Sequence, residues 1–208
     1  MHVPFRILVP CVRFTLGTLL AAAALHCNAV FAADIHAGQA KAESCVACHG
    51  AAGIAQMEAV PSLAGQPDGF LQWQLVYFRS HTRKNPQMMA MAAGLSNEDV
   101  RNLAAYFSSL TPPVAPPEAD NDVALTAAGA LLVQKNNCVS CHQASMKGQQ
   151  AIARLANQRE DYLLTALRDY KSGVRTGGGV GAMLEVVSPL ADHDLAALAH
   201  YLARFDGK

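Results

Sequence analysis

The chain contains CVACH at residues 45–49 and CVSCH at residues 138–142, and the sequence around one recurs around the other. Upstream, AGQAKAESC (37–45) faces AGALLVQKNNC (128–138), with two extra residues in the second copy. Downstream, LAGQPDGFLQWQLVYFRSHTR (63–83) faces LANQREDYLLTALRDYKSGVR (155–175) at a constant offset of 92. A last block, LSNEDVRNLAAYF (95–107), faces LADHDLAALAHYL (190–202) at an offset of 95. A duplication of this extent requires one structural unit to form twice.

The repeating unit is helical. In the last block Val100, Leu103, Ala104 and Phe107 match Leu195, Leu198, Ala199 and Leu202 at helical spacing, and strand signals are nearly absent. Ser96 followed by Asp99 supplies an N-cap for the first of these helices, whereas Ala191 replaces the serine in the second. Further helices are expected to run into each CxxCH and through 71–79 and 163–171. Between the copies TPPVAPPEAD (111–120) carries four prolines and favours an extended connector. The expected architecture is therefore all-α, with domains at 33–110 and 121–208 joined by a Pro-rich linker at 111–120. Domains this small bury modest cores and would gain from a large apolar group inside.

The N-terminus has the layout of an export signal. Arg6 and Arg13 precede an apolar run at 14–25, and NAVFAAD follows, placing cleavage after Ala32. Twelve apolar residues fall short of the ~20 that a spanning helix needs. Residues 1–32 read as a signal peptide that carries Cys11 and Cys27 away, and the destination reads as the periplasm. Loss of Arg6 and Arg13 from the 16 basic residues, against 16 acidic ones, leaves a net charge of −2. Such a balance offers no basic footprint for nucleic acid.

In C-x-x-C-H two thiols on one turn can each add to a vinyl group of haem while the adjacent imidazole turns to the iron, the recognised signature of c-type haem attachment. Two copies in matching repeats give two haem c groups, on Cys45 and Cys48 with His49, and on Cys138 and Cys141 with His142. A zinc ribbon would need its cysteine pairs about 15–20 residues apart, and a thioredoxin-like dithiol belongs in an α/β pattern missing here. An iron-bound histidine normally donates its other ring N–H to an acceptor behind it. Pro61 in the first copy and Ala153 in the second are placed to supply that carbonyl. The second site also has Gln143 where the first has Gly50, so unequal potentials are expected.

A thioether opposite histidine raises the potential of a six-coordinate haem relative to a second histidine. The stretch PQMMAMAAGLS (86–96) offers Met88, Met89 and Met91. Counting back eight residues from Ser96 gives Met88, and counting back eight from Ala191 gives Met183; Met89 and Met91 face Leu184 and Val186. Symmetry selects Met88 and Met183 as sixth ligands and leaves Met89 and Met91 as packing residues. Met57 and Met146 follow their CxxCH too closely and read as loop or core. His36, His81, His193 and His200 have no histidine counterparts in the other copy, and His81 is the first alternative to Met88.

The order CxxCH, LAGQ, an aromatic helix, then methionine eight residues before LS-x-E-D and LAAYF, repeated across a proline-containing linker, resembles cytochrome c4. The resemblance covers essentially all of the chain after the signal. It implies two class I cytochrome c domains packed about a pseudo-twofold axis in the periplasm, with peripheral membrane association. It also implies transfer of single electrons from respiratory donors such as a quinol-oxidising complex towards terminal oxidases or reductases. The ligand set it implies is His49 with Met88 and His142 with Met183. With both sixth positions held, the chain is expected to be a carrier rather than an enzyme such as a dihaem peroxidase. The alternative is an electron-accepting subunit of a periplasmic oxidoreductase, since the cytochrome subunit of sulfide-oxidising flavocytochrome c, paired with a flavoprotein, is similar to cytochrome c4.

Overall fold

A computed structural model describes residues 32–115 and 122–205. The expected signal segment, except for Ala32, and residues 116–121 of the connector region lie outside the described residues, as do 206–208. The described residues form ten helices and no strand. The first repeat comprises α1 (Ile35–Ala42), α2 (Val46–His49), α3 (Asp68–Arg79), α4 (Pro86–Ala92) and α5 (Asn97–Ser109). The second comprises α6 (Val123–Lys135), α7 (Val139–His142), α8 (Glu160–Lys171), α9 (Val180–Val187) and α10 (Asp192–Ala203). The same five elements appear twice, in the same order. No helix among the described residues is long and apolar enough to cross a membrane.

Each repeat is built on a crossing of its first and last helices, α1 with α5 and α6 with α10. Glycine makes this approach feasible. A Cβ on Gly38 would lie 2.1 Å from the Asn102 carbonyl oxygen, and one on Gly129 would lie 2.3 Å from that of Ala197. Gly38 and Gly129 occupy corresponding places in AGQ and AGA, so the crossing was copied with the repeat. Asn102 reinforces the first crossing by accepting at Oδ1 from the Asp34 N–H at 2.8 Å.

Helix ends follow local chemistry. Ser96 and Asp99 close a reciprocal capping box on α5, with Asp99 N–H to Ser96 Oγ at 3.0 Å and Ser96 N–H to Asp99 Oδ2 at 2.9 Å. At α10 the alanine cap leaves half of that arrangement: the Ala191 N–H still donates to Asp194 Oδ2 at 2.8 Å. The helices carrying Leu71 and Leu163 begin at Asp68 and Glu160, three residues before the apolar stretch that signals them. The first helix stops at Ala42, and a separate short helix holds most of the CxxCH.

The two repeats meet through a reciprocal clamp. The Ser62 N–H donates to Gln158 Oε1 and Gln158 Nε2 donates to the Ser62 carbonyl, each at 2.8 Å. At the corresponding positions the Arg154 N–H donates to Gln66 Oε1 at 3.0 Å, and Gln66 Nε2 to the Arg154 carbonyl at 2.9 Å. All four residues are buried. Each glutamine thus satisfies both backbone groups of one residue in the opposite repeat, which meets the requirement that buried polar groups be paired.

Candidate haem sites

The CxxCH turns are similar in the two repeats. Cys45 and Cys138 precede α2 and α7, whose four residues carry the remaining cysteine and histidine of each motif. The His49 and His142 N–H groups donate to the carbonyls of Cys45 and Cys138 at 3.0 Å each, closing one helical turn. That turn puts both thiols and the imidazole on one short segment. Cys45, Cys48, Cys138 and Cys141 are free of disulfides. Burial pushes the Cys45 and Cys138 thiols above their ordinary range, keeping them protonated at neutral pH.

Behind each imidazole stands the carbonyl expected from the sequence. His49 Nδ1 lies 2.8 Å from the Pro61 oxygen, and His142 Nδ1 lies 2.9 Å from that of Ala153. A carbonyl can only accept, so Nδ1 carries the proton and Nε2 presents its lone pair. Burial pushes both imidazoles below the usual histidine range, against the opposing pull of these carbonyls. Neutral imidazoles with oriented Nε2 lone pairs are the form that binds iron. Loss of the proline at position 153 leaves the length of this contact almost unchanged.

The methionines lie on short helices that sequence patterning did not mark. Asn85 caps α4 by accepting from the Met88 N–H at 2.9 Å, and Pro86 occupies its first turn. Met88 is half-buried on this helix, and Met91 is exposed. Gln87, its neighbour, donates from Nε2 to Cys48 Sγ at 3.7 Å, which brings α4 against the first CxxCH. Met183 lies on α9, entered through Gly179 in the left-handed region, and packs against the same core as Cys138. Met146 is buried in that core and Met57 is exposed.

The remaining histidines are placed elsewhere. His81 is exposed with φ +60°, His36 is exposed on α1, His193 faces Asp194 at 3.4 Å, and buried His200 faces Glu160 at 3.3 Å. Among the described residues, no group of three or more histidine, cysteine or acidic side chains could hold a bare metal ion.

These features fit haem. The first repeat's buried cluster is small, consisting of Ala42, Leu71, Leu103, Ala104 and Phe107, with Cys45 packed beside it. A large apolar group bonded next to Cys45 would extend it. One set of polar residues went unnoticed in the sequence. Arg83 donates to Gln74 Oε1 at 2.7 Å and to the Tyr162 hydroxyl at 3.2 Å, and buried Arg175 donates to the same Gln74 oxygen at 3.4 Å. Arg83 lies over the Phe78 ring and Arg175 over the Tyr170 ring, at 4.6 and 4.5 Å. Although burial opposes ionisation, the two guanidiniums pull Tyr162 down to about 8. The signal was the arginine ending both aligned blocks, at 83 and 175.

The family model described as Cytochrome c matches residues 35–111 and 126–205. Two helical repeats, each with its own CxxCH, are thus two cytochrome c domains, and the chain carries two covalently bound haem c groups. It is 32% identical over 186 residues to cytochrome c4 of Azotobacter vinelandii, covering 82% of this chain and 89% of that protein. The structure of reduced recombinant cytochrome c4 from Pseudomonas stutzeri superposes with a TM-score of 0.76 at 31% identity, covering 84% of this chain and all of that one. The chain belongs to the cytochrome c4 family. It is also 34% identical over 172 residues to a thiosulfate dehydrogenase electron acceptor of Thiomonas intermedia (strain K12), covering 78% of this chain and 79% of that protein.

Proposed function

We propose that this chain is a periplasmic electron carrier, taking single electrons from a respiratory donor and passing them to a terminal oxidase or reductase. Thioether bonds from Cys45 and Cys48 would hold one haem, with His49 and Met88 as its iron ligands. Cys138 and Cys141 would hold the other, with His142 and Met183 as its iron ligands. When bound, haem supplies a one-electron couple between ferric and ferrous iron.

The protein's part is to fix ligands and exclude side reactions. Pro61 and Ala153 orient the imidazoles, while α4 and α9 bring the thioethers. Arg83 and Arg175, two cations at the meeting of the repeats, would offer charged donors to haem carboxylates. The observation that carries the reading is the matched pair of neutral, Nδ1-anchored histidines, each in a repeat with a partly buried methionine on its own short helix. Together with the four nitrogens of a porphyrin, one histidine and one methionine would complete six-coordinate iron and leave no position for substrate.

The test is a visible spectrum of the dithionite-reduced protein before and after carbon monoxide. An unchanged spectrum is expected; binding by half the haem would expose one open site and move a dihaem enzyme to the front. A second reading, as the electron-accepting subunit of a periplasmic oxidoreductase, is supported by the similarity to the thiosulfate dehydrogenase electron acceptor. Co-purification with a dehydrogenase subunit, a flavoprotein included, would favour it. Purification as a lone dihaem protein favours the carrier.

A further inference from the structure

The clamp between the repeats and the anchors behind the histidines share two peptide groups. The oxygen that accepts from His49 belongs to Pro61, and the N–H of the same peptide is that of Ser62, which donates to Gln158 Oε1 at 2.8 Å. In the second repeat the oxygen facing His142 belongs to Ala153, and that peptide's N–H, on Arg154, donates to Gln66 Oε1 at 3.0 Å. Each histidine is thus one peptide away from a glutamine of the other domain. Ser62, Gln66, Arg154 and Gln158 are all buried, so water competes little for these bonds.

We propose that Gln158 tunes the first haem and Gln66 the second, each across the domain boundary and through a single peptide. This rests on His49 and His142 being the iron ligands. The physical basis is the polarisability of the amide. Donation of its N–H to an acceptor raises the negative charge on its carbonyl oxygen, strengthening the next bond in the chain by about 10–30%. A stronger acceptor behind Nδ1–H gives the imidazole more anionic character, which favours ferric iron and lowers the potential. Removal of a glutamine acceptor therefore raises the potential of the haem in the opposite domain. The glutamines are positioning residues: they touch neither histidine, and they act on the carbonyl that does.

The test uses the full-length, haem-loaded protein with Gln158→Met and Gln66→Met, which keep side-chain length and remove the acceptor. Two quantities are read: both potentials by spectroelectrochemical titration, and the Nδ1–H resonances of His49 and His142 by NMR of the reduced, ¹⁵N-histidine-labelled protein. In Gln158→Met the His49 Nδ1–H resonance is expected to move upfield and the first haem's potential upward, with His142 and the second haem held. Gln66→Met should give the mirror image.

Gln158→Glu and Gln66→Glu keep the Oε acceptor and decide the matter if the methionine variants do not load haem. In them the opposite histidine's Nδ1–H should stay at, or move downfield of, its position in the unaltered protein. A shift confined to the glutamine's own domain, equal shifts in both, or an unmoved Nδ1–H in the methionine variants would overturn the proposal, as would glutamate variants shifting the resonance upfield. Failure of the ligand reading looks different: His49 and His142 ring protons in the unaltered reduced protein would then lack the large ring-current shifts of an imidazole bound to haem iron.

Discussion

Gly38→Ala adds a single methyl group, and the structure sets its cost. Ordinary contact for a Cβ begins at 3.4 Å, and this one would sit 2.1 Å from the Asn102 oxygen, about 1.3 Å too close. Its next neighbours are the Asn102 carbonyl carbon at 2.6 Å and Tyr106 Cβ at 2.9 Å. None of these can rotate aside, so α1 has to back away from α5. Overpacking costs typically 1–3 kcal/mol, and the rigid obstruction argues for the upper end. Alanine returns about 1 kcal/mol through helix propensity, leaving a net loss of about 2 kcal/mol. At roughly 2–4 °C per kcal/mol for a chain of this size, the midpoint should fall by about 4–8 °C. Gly94→Ala is the control, because its Cβ would meet nothing within 4 Å. Thermal denaturation of the haem-loaded proteins, followed by far-UV circular dichroism, should show a clear loss for Gly38→Ala and little change for Gly94→Ala. Equal stability of the two variants would refute the argument that this glycine sets the crossing distance. The functional stake is local: α1 ends at Ala42, whose carbonyl accepts from the Cys45 N–H at 2.7 Å, so a displaced α1 pulls on the first CxxCH.

Met88→Ala should open the first haem to carbon monoxide while Met91→Ala should not, as read from the reduced visible spectrum. Replacing Cys138 and Cys141 together by serine should leave one covalent haem per chain by mass spectrometry. Gln143→Gly should stabilise the protein by about 1–2 kcal/mol in guanidinium titrations, since Gln143 holds φ +66° and ψ 160° where the first repeat has Gly50. Asp99→Asn should destabilise α5 at neutral pH. The backbone N–H of Ser96, then its hydroxyl, hold the Asp99 carboxyl below its ordinary 3.8. A depressed folded value means that the stabilisation is fully present above 3.8 and is lost as pH falls through the folded value, so acid should narrow the gap between variant and parent.

Much of the fold was legible because the chain states its pattern twice. Periodicity at 100–107 and 195–202 gave α5 and α10, and Pro61 and Ala153 were found by asking what a ligand histidine needs behind it. Helices α4 and α9 were harder to see. They are too short to show a full apolar stripe, and α4 is marked mainly by Asn85 and Pro86, which also read as a turn. The glutamines were invisible for a different reason. LAGQ and LANQ align plainly, but each side chain pairs with backbone groups nearly ninety residues or more away, and a backbone group leaves no residue type to recognise. Arg83 and Arg175 left a trace in the alignment, yet only the packing of the repeats brings both to Gln74.

After duplication, two halves of a chain accumulate changes independently, and a contact between side chains must then change in concert. The clamp avoids this on one side of each pair. Because Gln66 and Gln158 grip main-chain atoms, the residues they grip can be replaced without altering the groups that receive them. The pair has diverged accordingly, to a serine at 62 and an arginine at 154. The glutamines themselves, for which no main-chain group could substitute, are the same in both halves.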